Sequence, residues 1–272
     1  MNRFSATPKA LVSALWAHRE LVRSLIWRDV VGRYRGSFGG ILWSFVTPLL
    51  MLSVYTFVFA GVFKARWSSP TESTADFALA LFVGLCVFNL FAECLSRAPT
   101  LVVTNVNYVK RVVFPLEVLP IVSLGTALFN LAVSFIAWLI GYLILNGIPP
   151  VTALAYPVTL LPLMLFTLGV SWFAAALGVY VRDLTHIIGI VTSVLLFMTP
   201  IFYPTAALPE RIRPLLAWNP LAIIIEQARG LLLWGTVPSA AIYCALTGAG
   251  AVTCWLGFWW FQRTRRGFAD VI

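Results

Sequence analysis

Residues 115–145 read PLEVLPIVSLGTALFNLAVSFIAWLIGYLIL, thirty-one residues in which Glu117 is the only charged side chain. About 20 predominantly apolar residues suffice to carry a helix across the ~30 Å hydrocarbon core of a bilayer. A lone segment in lipid satisfies its backbone groups only as a helix. The run therefore predicts a membrane-spanning helix. Five more runs of the same kind flank it, at 38–63, 77–97, 151–181, 185–203 and 238–261. The runs at 115–145 and 151–181 are longer than a crossing requires, so they tilt or extend beyond the bilayer. The expected architecture is all-α and integral to the membrane, with six transmembrane helices in a single domain over residues 1–272.

Composition supports this. The chain is 60% hydrophobic and 11% charged, with mean hydropathy +0.91. Soluble domains carry about 25% charged residues, so these few charges could not cover a surface in water. The net charge of +9 does not indicate nucleic acid, because the basic residues gather at the ends of apolar runs, as in membrane orientation. Cys86, Cys94, Cys244 and Cys254 all lie inside apolar runs, form no CxxC pair and are accompanied by only two histidines. Neither a metal site nor a disulfide framework is expected. Residues 1–36 contain no apolar core followed by a small-residue cleavage site, so the first long run is expected to act as an uncleaved anchor.

Two segments depart from simple spans. Over residues 10–28, Leu11, Leu15, Val22, Leu25 and Ile26 share a face with Ala14 and Leu21 at 100° per residue. Ser13, Glu20, Arg23 and Ser24 lie opposite, Arg19 and Arg28 flank, and Trp16 and Trp27 suit headgroup level. The pattern fits a helix lying in the interface within 1–36, although the same stripe also suits protein packing. Residues 204–237 hold Pro204, Pro209, Pro214 and Pro220, then the short apolar stretch Leu221–Leu233. Thirteen residues are too few to cross. The expectation is a re-entrant helical hairpin, with a seventh span as the alternative. Glu226 and Arg229, three apart, are placed to pair on one helix face.

With the N-terminus inside, cytoplasmic segments hold 14 Lys and Arg and outer segments 5. This asymmetry predicts N-in and C-in and puts the hairpin on the outer side.

No GxxxxGK followed by Ser or Thr occurs, so the chain has no P-loop with which to hydrolyse ATP. Acidic residues in the middle of spans mark ion paths, and none lies mid-span in the third to sixth runs. Glu93 and Arg97 stand four apart near the end of the second run, which suits a structural pair. Glu117 is expected near Lys110 and Arg111. His18 and His186 have no evident nucleophile or carboxylate beyond Asp183, and no acidic cluster suits metal or base chemistry. No catalytic residue is expected, and the energy source is expected to be external. Among 20 Phe, 11 Trp and 8 Tyr, some fall deep in the runs. Tyr55, Phe59 and Phe197 are candidates to line a path for sugars, with ordinary packing as the alternative.

Several segments resemble the permease family of type II ABC exporters for polysaccharides and polyol phosphates, which includes O-antigen, capsule and teichoic acid export permeases. Residues 25–43, LIWRDVVGRYRGSFGGILW, run on to Pro48 and Leu49. Arg33, Tyr34, Arg35, Gly36, Ser37, Gly40 and Trp43 match a family stretch of the form R-Y-R-G-S-x-x-G-x-x-W, which ends the interfacial helix and opens the first span. Residues 105–115, NVNYVKRVVFP, resemble the cytoplasmic loop before the third span. Arg182-Asp183, then MTPIFYP at 198–204, Asn219-Pro220 and the terminal Phe268-Ala-Asp270 follow in family order.

The resemblance implies a homodimer that works with two separate ATPase subunits. ATP and Mg would be bound on those partners, with no cofactor on this chain. The substrate would be a glycan on an isoprenoid pyrophosphate lipid, moved across the bacterial inner membrane. Asn105, Asn107, Tyr108, Lys110 and Arg111 would form the ATPase-coupling loop. The first and fifth spans would line the channel, and Tyr203, Pro204, Asn219 and Pro220 would belong to an outer gate. Arg28, Arg33, Tyr34 and Arg35 sit where lipid phosphates lie, with plain positive-inside anchoring as the alternative. Gly36, Gly39 and Gly40 permit a sharp turn into the bilayer. Two other readings stand beside this one: an ABC exporter permease for a drug, haem or small lipid, and a membrane-embedded lipid-glycan transferase.

Overall fold

The computed structural model describes residues 13, 16–62, 74–109, 114–205, 208–211, 213–216 and 218–271, and these contain helices and turns but no strand. In chain order the principal helices are α1 (Arg19–Tyr34), α2 (Leu42–Tyr55, prolonged by a π-helical stretch Thr56–Val62), α3 (Thr74–Arg97), α4 (Val118–Leu145), α5 (Tyr156–Tyr180), α6 (Leu184–Met198), α7 (Pro220–Arg229, prolonged by a π-helical stretch Gly230–Trp234) and α8 (Ala240–Thr264). Among the described residues, five helical stretches are long and apolar enough to cross a bilayer: Leu42–Phe59, Ala75–Thr100, Val118–Leu145, Val151–Tyr180 and Ala240–Gly267.

The run expected at 185–203 is the exception. Its helix α6 has 15 residues, about 22 Å at 1.5 Å per residue, which is short of the ~30 Å core. Thr199 ends it in an extended conformation. Pro200 follows, and the residue before a proline is driven away from helical dihedrals. At the other end the chain turns through Arg182 and Asp183. By length alone five stretches of the described residues reach across the core, and α6 stands apart as a shorter apolar helix. In the 204–237 region, α7 and its π-helical stretch have ten and five residues, too few for a seventh.

α3 is the central element. Phe77–Leu85 are all buried, as are Val87, Phe88, Leu90, Phe91, Cys94 and Leu95. α4, α5, α6 and α7 pack around it. α5 and α8 cross with their backbones in close approach. A Cβ on Gly257 would lie 2.0 Å from the Gly169 carbonyl oxygen, and one on Gly169 would lie 2.3 Å from that of Thr253. Lipid tails are as apolar as the side chains, so association in a bilayer depends on such close packing more than on the hydrophobic effect. Trp172 is fully buried, edge-on to Phe258 at 5.3 Å, and donates its indole N–H to the Glu117 carbonyl at 3.0 Å. α2 and α6 are peripheral. α2 buries only Ser44 and Leu52, and α6 only Ile188. Both turn broad apolar faces outward.

The entry into α2 follows the expected turn. Gly36 and Gly40 take φ of +87° and +49°, a region where a side chain is strained. The Ser37 hydroxyl donates to the Tyr34 carbonyl at 2.9 Å. Gly39 lies under Trp43, whose Nε1 would be 2.7 Å from a Cβ there.

Candidate functional site

A set of charged residues converges where α1 lies across α3 and α4. Leu25 and Val30 are the buried residues of α1. Ile26 sits over Gly125 of α4, where a Cβ would come 2.2 Å from its Cδ1. Trp16 and Trp27 remain exposed. Leu11, Ala14 and Leu15, also expected on the apolar stripe, lie outside the described residues. Packing at Gly125 places Asp29 beside Arg97 at the end of α3. The guanidinium donates to both carboxylate oxygens, at 2.8 and 2.9 Å. Such two-pronged, charge-assisted pairs fix geometry as well as adding energy. Arg33, one turn along α1, is 3.6 Å from Asp29 and pairs directly with Glu93. Asn130 of α4 donates to the other Glu93 oxygen at 2.9 Å.

The expected pairing of Glu93 with Arg97 is thus secondary. Those groups are 3.9 Å apart, and each has a closer partner on another helix. Burial opposes ionisation of Asp29. Hydrogen bonding and charge from Arg97, a hydrogen bond from Thr126 and the charge of Arg33 more than offset it, and the carboxyl is held below the usual carboxylate range.

A second set of contacts reaches the loop before α4. Arg28 donates to the Tyr108 hydroxyl at 2.8 Å, and the Tyr108 ring stacks on Phe114 at 4.2 Å and 9°. The Phe114 carbonyl accepts from Arg265, 2.8 Å away, which also pairs with Glu117 at 2.5 Å. Arg265 and Glu117 are both 12% exposed. Glu117 therefore pairs with the far end of α8. Lys110 and Arg111, its expected neighbours, lie outside the described residues. Asn105 turns inward, donating to the Leu101 carbonyl at 2.8 Å, and Asn107 falls in the helical turn Val106–Val109. A cavity of about 330 Å³ lies inside this junction, lined by Arg28, Asp29, Arg33, Arg97, Asn105 and Tyr108 among others.

The junction separates the arginines by role. Asp29 and Glu93 neutralise Arg33 and Arg97. Among the described residues Arg28 bonds to a neutral hydroxyl alone, and Arg35 is exposed at the end of α1. Tyr34 is half-buried, its carbonyl taken up by the turn. Among the arginines expected to meet anions, the geometry leaves Arg28 and Arg35 freest to do so.

The candidate channel residues divide. Tyr55 and Phe59 are half-buried against their own chain, Phe59 with its ring 5.4 Å from that of Phe77. Phe197 on α6 is 67% exposed. At the expected outer gate, Tyr203 donates to the Phe197 carbonyl at 3.0 Å, and Pro204 is half-buried beside it. Asn219 caps α7, accepting from the Leu221 and Ala222 amides at 3.0 and 3.4 Å, and donates to Thr199 at 3.2 Å. Pro220 takes the first helical position, where its missing N–H has no cost.

Sequence pattern pairs Glu226 with Arg229, and the structure has that bond at 2.9 Å. The larger role of Arg229 has no local signal. It is fully buried and donates to the carbonyls of Ala80, Pro200 and Ile201 at 2.9, 2.7 and 2.9 Å. Gly84 clears the space, since a Cβ there would lie 2.6 Å from Nη2. One side chain thereby joins α7, α3 and the end of α6.

Residues 20–233 match the model of the ABC-2 type transporter family. The chain is 30% identical over 264 residues to the O-antigen export system permease protein RfbA of Myxococcus xanthus, covering 96% of this chain and 99% of that protein. It is 26% identical over 247 residues to RfbA of Klebsiella pneumoniae, covering 90% and 92%. Similarity extends to the polysialic acid transport protein KpsM of Escherichia coli, 23% identical over 239 residues, covering 87% and 90%.

Proposed function

Because the chain belongs to the ABC-2 type transporter family, we propose that it is the membrane permease of an ATP-driven exporter of lipid-linked, O-antigen-like polysaccharide. Two copies pair with two separate ATPase subunits in the bacterial inner membrane, with both termini in the cytoplasm. The observation that carries the coupling mechanism is the bond between Tyr108 of the cytoplasmic loop and Arg28 of the interfacial helix. A subunit pressing on that loop moves α1 through Arg28. It also moves α3 through Asp29 and Arg97, and α8 through Phe114 and Arg265. The names of the relatives, an O-antigen export permease and a polysialic acid transport protein, support the substrate class.

Arg28 and Arg35 receive the anionic pyrophosphate of an isoprenoid carrier, while Arg33 is committed to holding α1 on α3. α2 and α6, whose apolar faces are unburied in one copy, meet their counterparts around the channel, with α6 as a sixth, short crossing. Phe197 points into that space, while Tyr55 and Phe59 border it. The segment 204–237 dips into the outer face as a hairpin. Tyr203, Pro204, Asn219 and Pro220 form its hinge, tied to α6 by Asn219–Thr199 and by Arg229. The test is deletion of the chain in its host. Loss of surface glycan, with carrier-linked polymer accumulating in the cytoplasm, is expected. An unchanged glycan surface overturns the proposal.

A further inference from the structure

Between Phe77 and Arg97, α3 exposes two residues, and both are polar: Asn89 and Ser96. They are seven apart, two helical turns, and share one face with Glu93 between them. No described residue hydrogen-bonds either side chain. The facing wall is α4, with Asn130 donating to Glu93 at 2.9 Å and Ser134 one turn further along. Together these side chains and Cys86 line a cleft of about 410 Å³.

The depth of this cleft is what demands an explanation. Asn89 is eight residues from Arg97, so it lies about 12 Å along the helix from the cytoplasmic junction at 1.5 Å per residue. That is well inside a hydrocarbon core of about 30 Å. An unpartnered amide facing lipid at this depth is costly. Polar side chains there face water, protein or a ligand.

We infer that this cleft is a saccharide subsite, taking the sugar units nearest the lipid phosphate as the glycan enters the channel. The inference rests on the proposed glycan substrate. Glu93 links the two places, because it pairs with Arg33 in the junction and also forms part of the cleft wall. Arg28 lies on the same helix as Arg33, the partner of Glu93, and Arg35 follows at its end, so a pyrophosphate held there enters beside the helix that borders the cleft. The Asn89 amide and the Ser96 hydroxyl offer both donors and acceptors to sugar hydroxyls, while Glu93, Asn130 and Ser134, already bonded to Arg33, to one another and to the α4 backbone, border them with spare acceptor lone pairs. The volume falls within the range of small-molecule sites.

The test uses the chain assembled with its ATPase partner in membrane vesicles. In a background with all four native cysteines replaced, Asn89→Cys and Ser96→Cys are labelled with a hydrophilic maleimide. Short carrier-linked glycan or sugar-free isoprenoid pyrophosphate is added before labelling. Labelling at both positions, slowed at least fivefold by the glycan-bearing lipid and unchanged by the sugar-free lipid, is expected. Absence of labelling means that lipid or a second copy fills the cleft. Equal protection by both lipids means a phosphate site, and no protection means water alone. Each of these overturns the inference. If the cysteine-replaced chain fails to assemble, Asn89→Leu and Asn89→Ser in the native chain decide. Asn89→Leu should cut export at least tenfold with ATPase assembly intact, and Asn89→Ser should preserve it; equal export by both refutes the subsite. A wild-type chain that moves no glycan in the same vesicles refutes the parent proposal instead.

Discussion

Replacing Arg229 with Met removes four hydrogen bonds at once, to Ala80, Pro200, Ile201 and Glu226, from a side chain with no exposed surface. Hydrogen bonds to charged groups contribute about 1.5–3 kcal/mol each. Four together would suggest roughly 6–12 kcal/mol by that figure. Simple addition overstates the loss, since neighbours relax and Glu226 is 31% exposed and reaches water. Breaking a buried ion pair from one side costs about 3–5 kcal/mol, and that range is the expectation for Arg229→Met. At about 2–4 °C per kcal/mol for a chain near this size, the melting temperature should fall by roughly 6–20 °C. The assay is thermal unfolding in detergent, followed by a thiol-reactive dye that reports exposure of buried Cys94 and Cys254. Arg229→Lys keeps the charge but loses the planar fork, and should lie between wild type and Met. Glu226→Gln keeps an acceptor but strands the buried guanidinium without its counter-charge, and should lower melting by less than Arg229→Met, which also leaves three backbone carbonyls without a donor. A shift below about 2 °C for Arg229→Met would show that the buried arginine does not hold α3, α6 and α7 together.

Other expectations follow from the same geometry. Gly125→Leu should push α1 off α4, measured as loss of cross-linking between cysteines placed at Arg28 and Tyr108 while α5–α8 packing is retained. Gly169→Val drives a side chain into the Thr253 backbone and should destabilise the chain by about 1–3 kcal/mol or more, the usual cost of overpacking, read by the same thermal assay. Asp29 has a folded pKa below its unfolded value. Its pair with Arg97 therefore contributes fully above the ordinary carboxylate range and is lost as pH falls through the depressed folded value. Melting of wild type relative to Asp29→Asn should accordingly stay constant from pH 7 to pH 5 and converge only in stronger acid, checked by parallel melts.

The spans are legible because apolar run length translates directly into helix length, as at 115–145, where the structure has a helix from Val118 to Leu145. The turn at 36–40 is legible because only glycine takes those dihedrals without strain. The run at 185–203 is legible as an apolar helix, Leu184–Met198, but its length is not, because hydropathy ignores the backbone: Thr199 and Pro200 extend the run yet end the helix. The ionic junction is legible only as a collection of charges. Local spacing offers Glu93 to Arg97 and Glu117 to Lys110. The structure pairs Glu93 with Arg33 and Glu117 with Arg265, partners whose meeting is set by how α1 and α8 cross the bundle. Asn130, Asn89 and Ser96 carry no motif at all. Their signal is polarity at a depth where neighbours are apolar, and it becomes interpretable once α3 is known to be buried on its other faces.

Reconstitution tests the central claim most directly. The purified chain is placed in liposomes with carrier-linked glycan, with and without its ATPase partner, and glycan transfer across the bilayer is followed. Transfer should require the partner and ATP hydrolysis, and should collapse when Tyr108 is replaced so that Arg28 loses its bond to the loop. Transfer or chemical modification of a substrate by this chain alone, driven by an ion gradient or by nothing, would contradict the account.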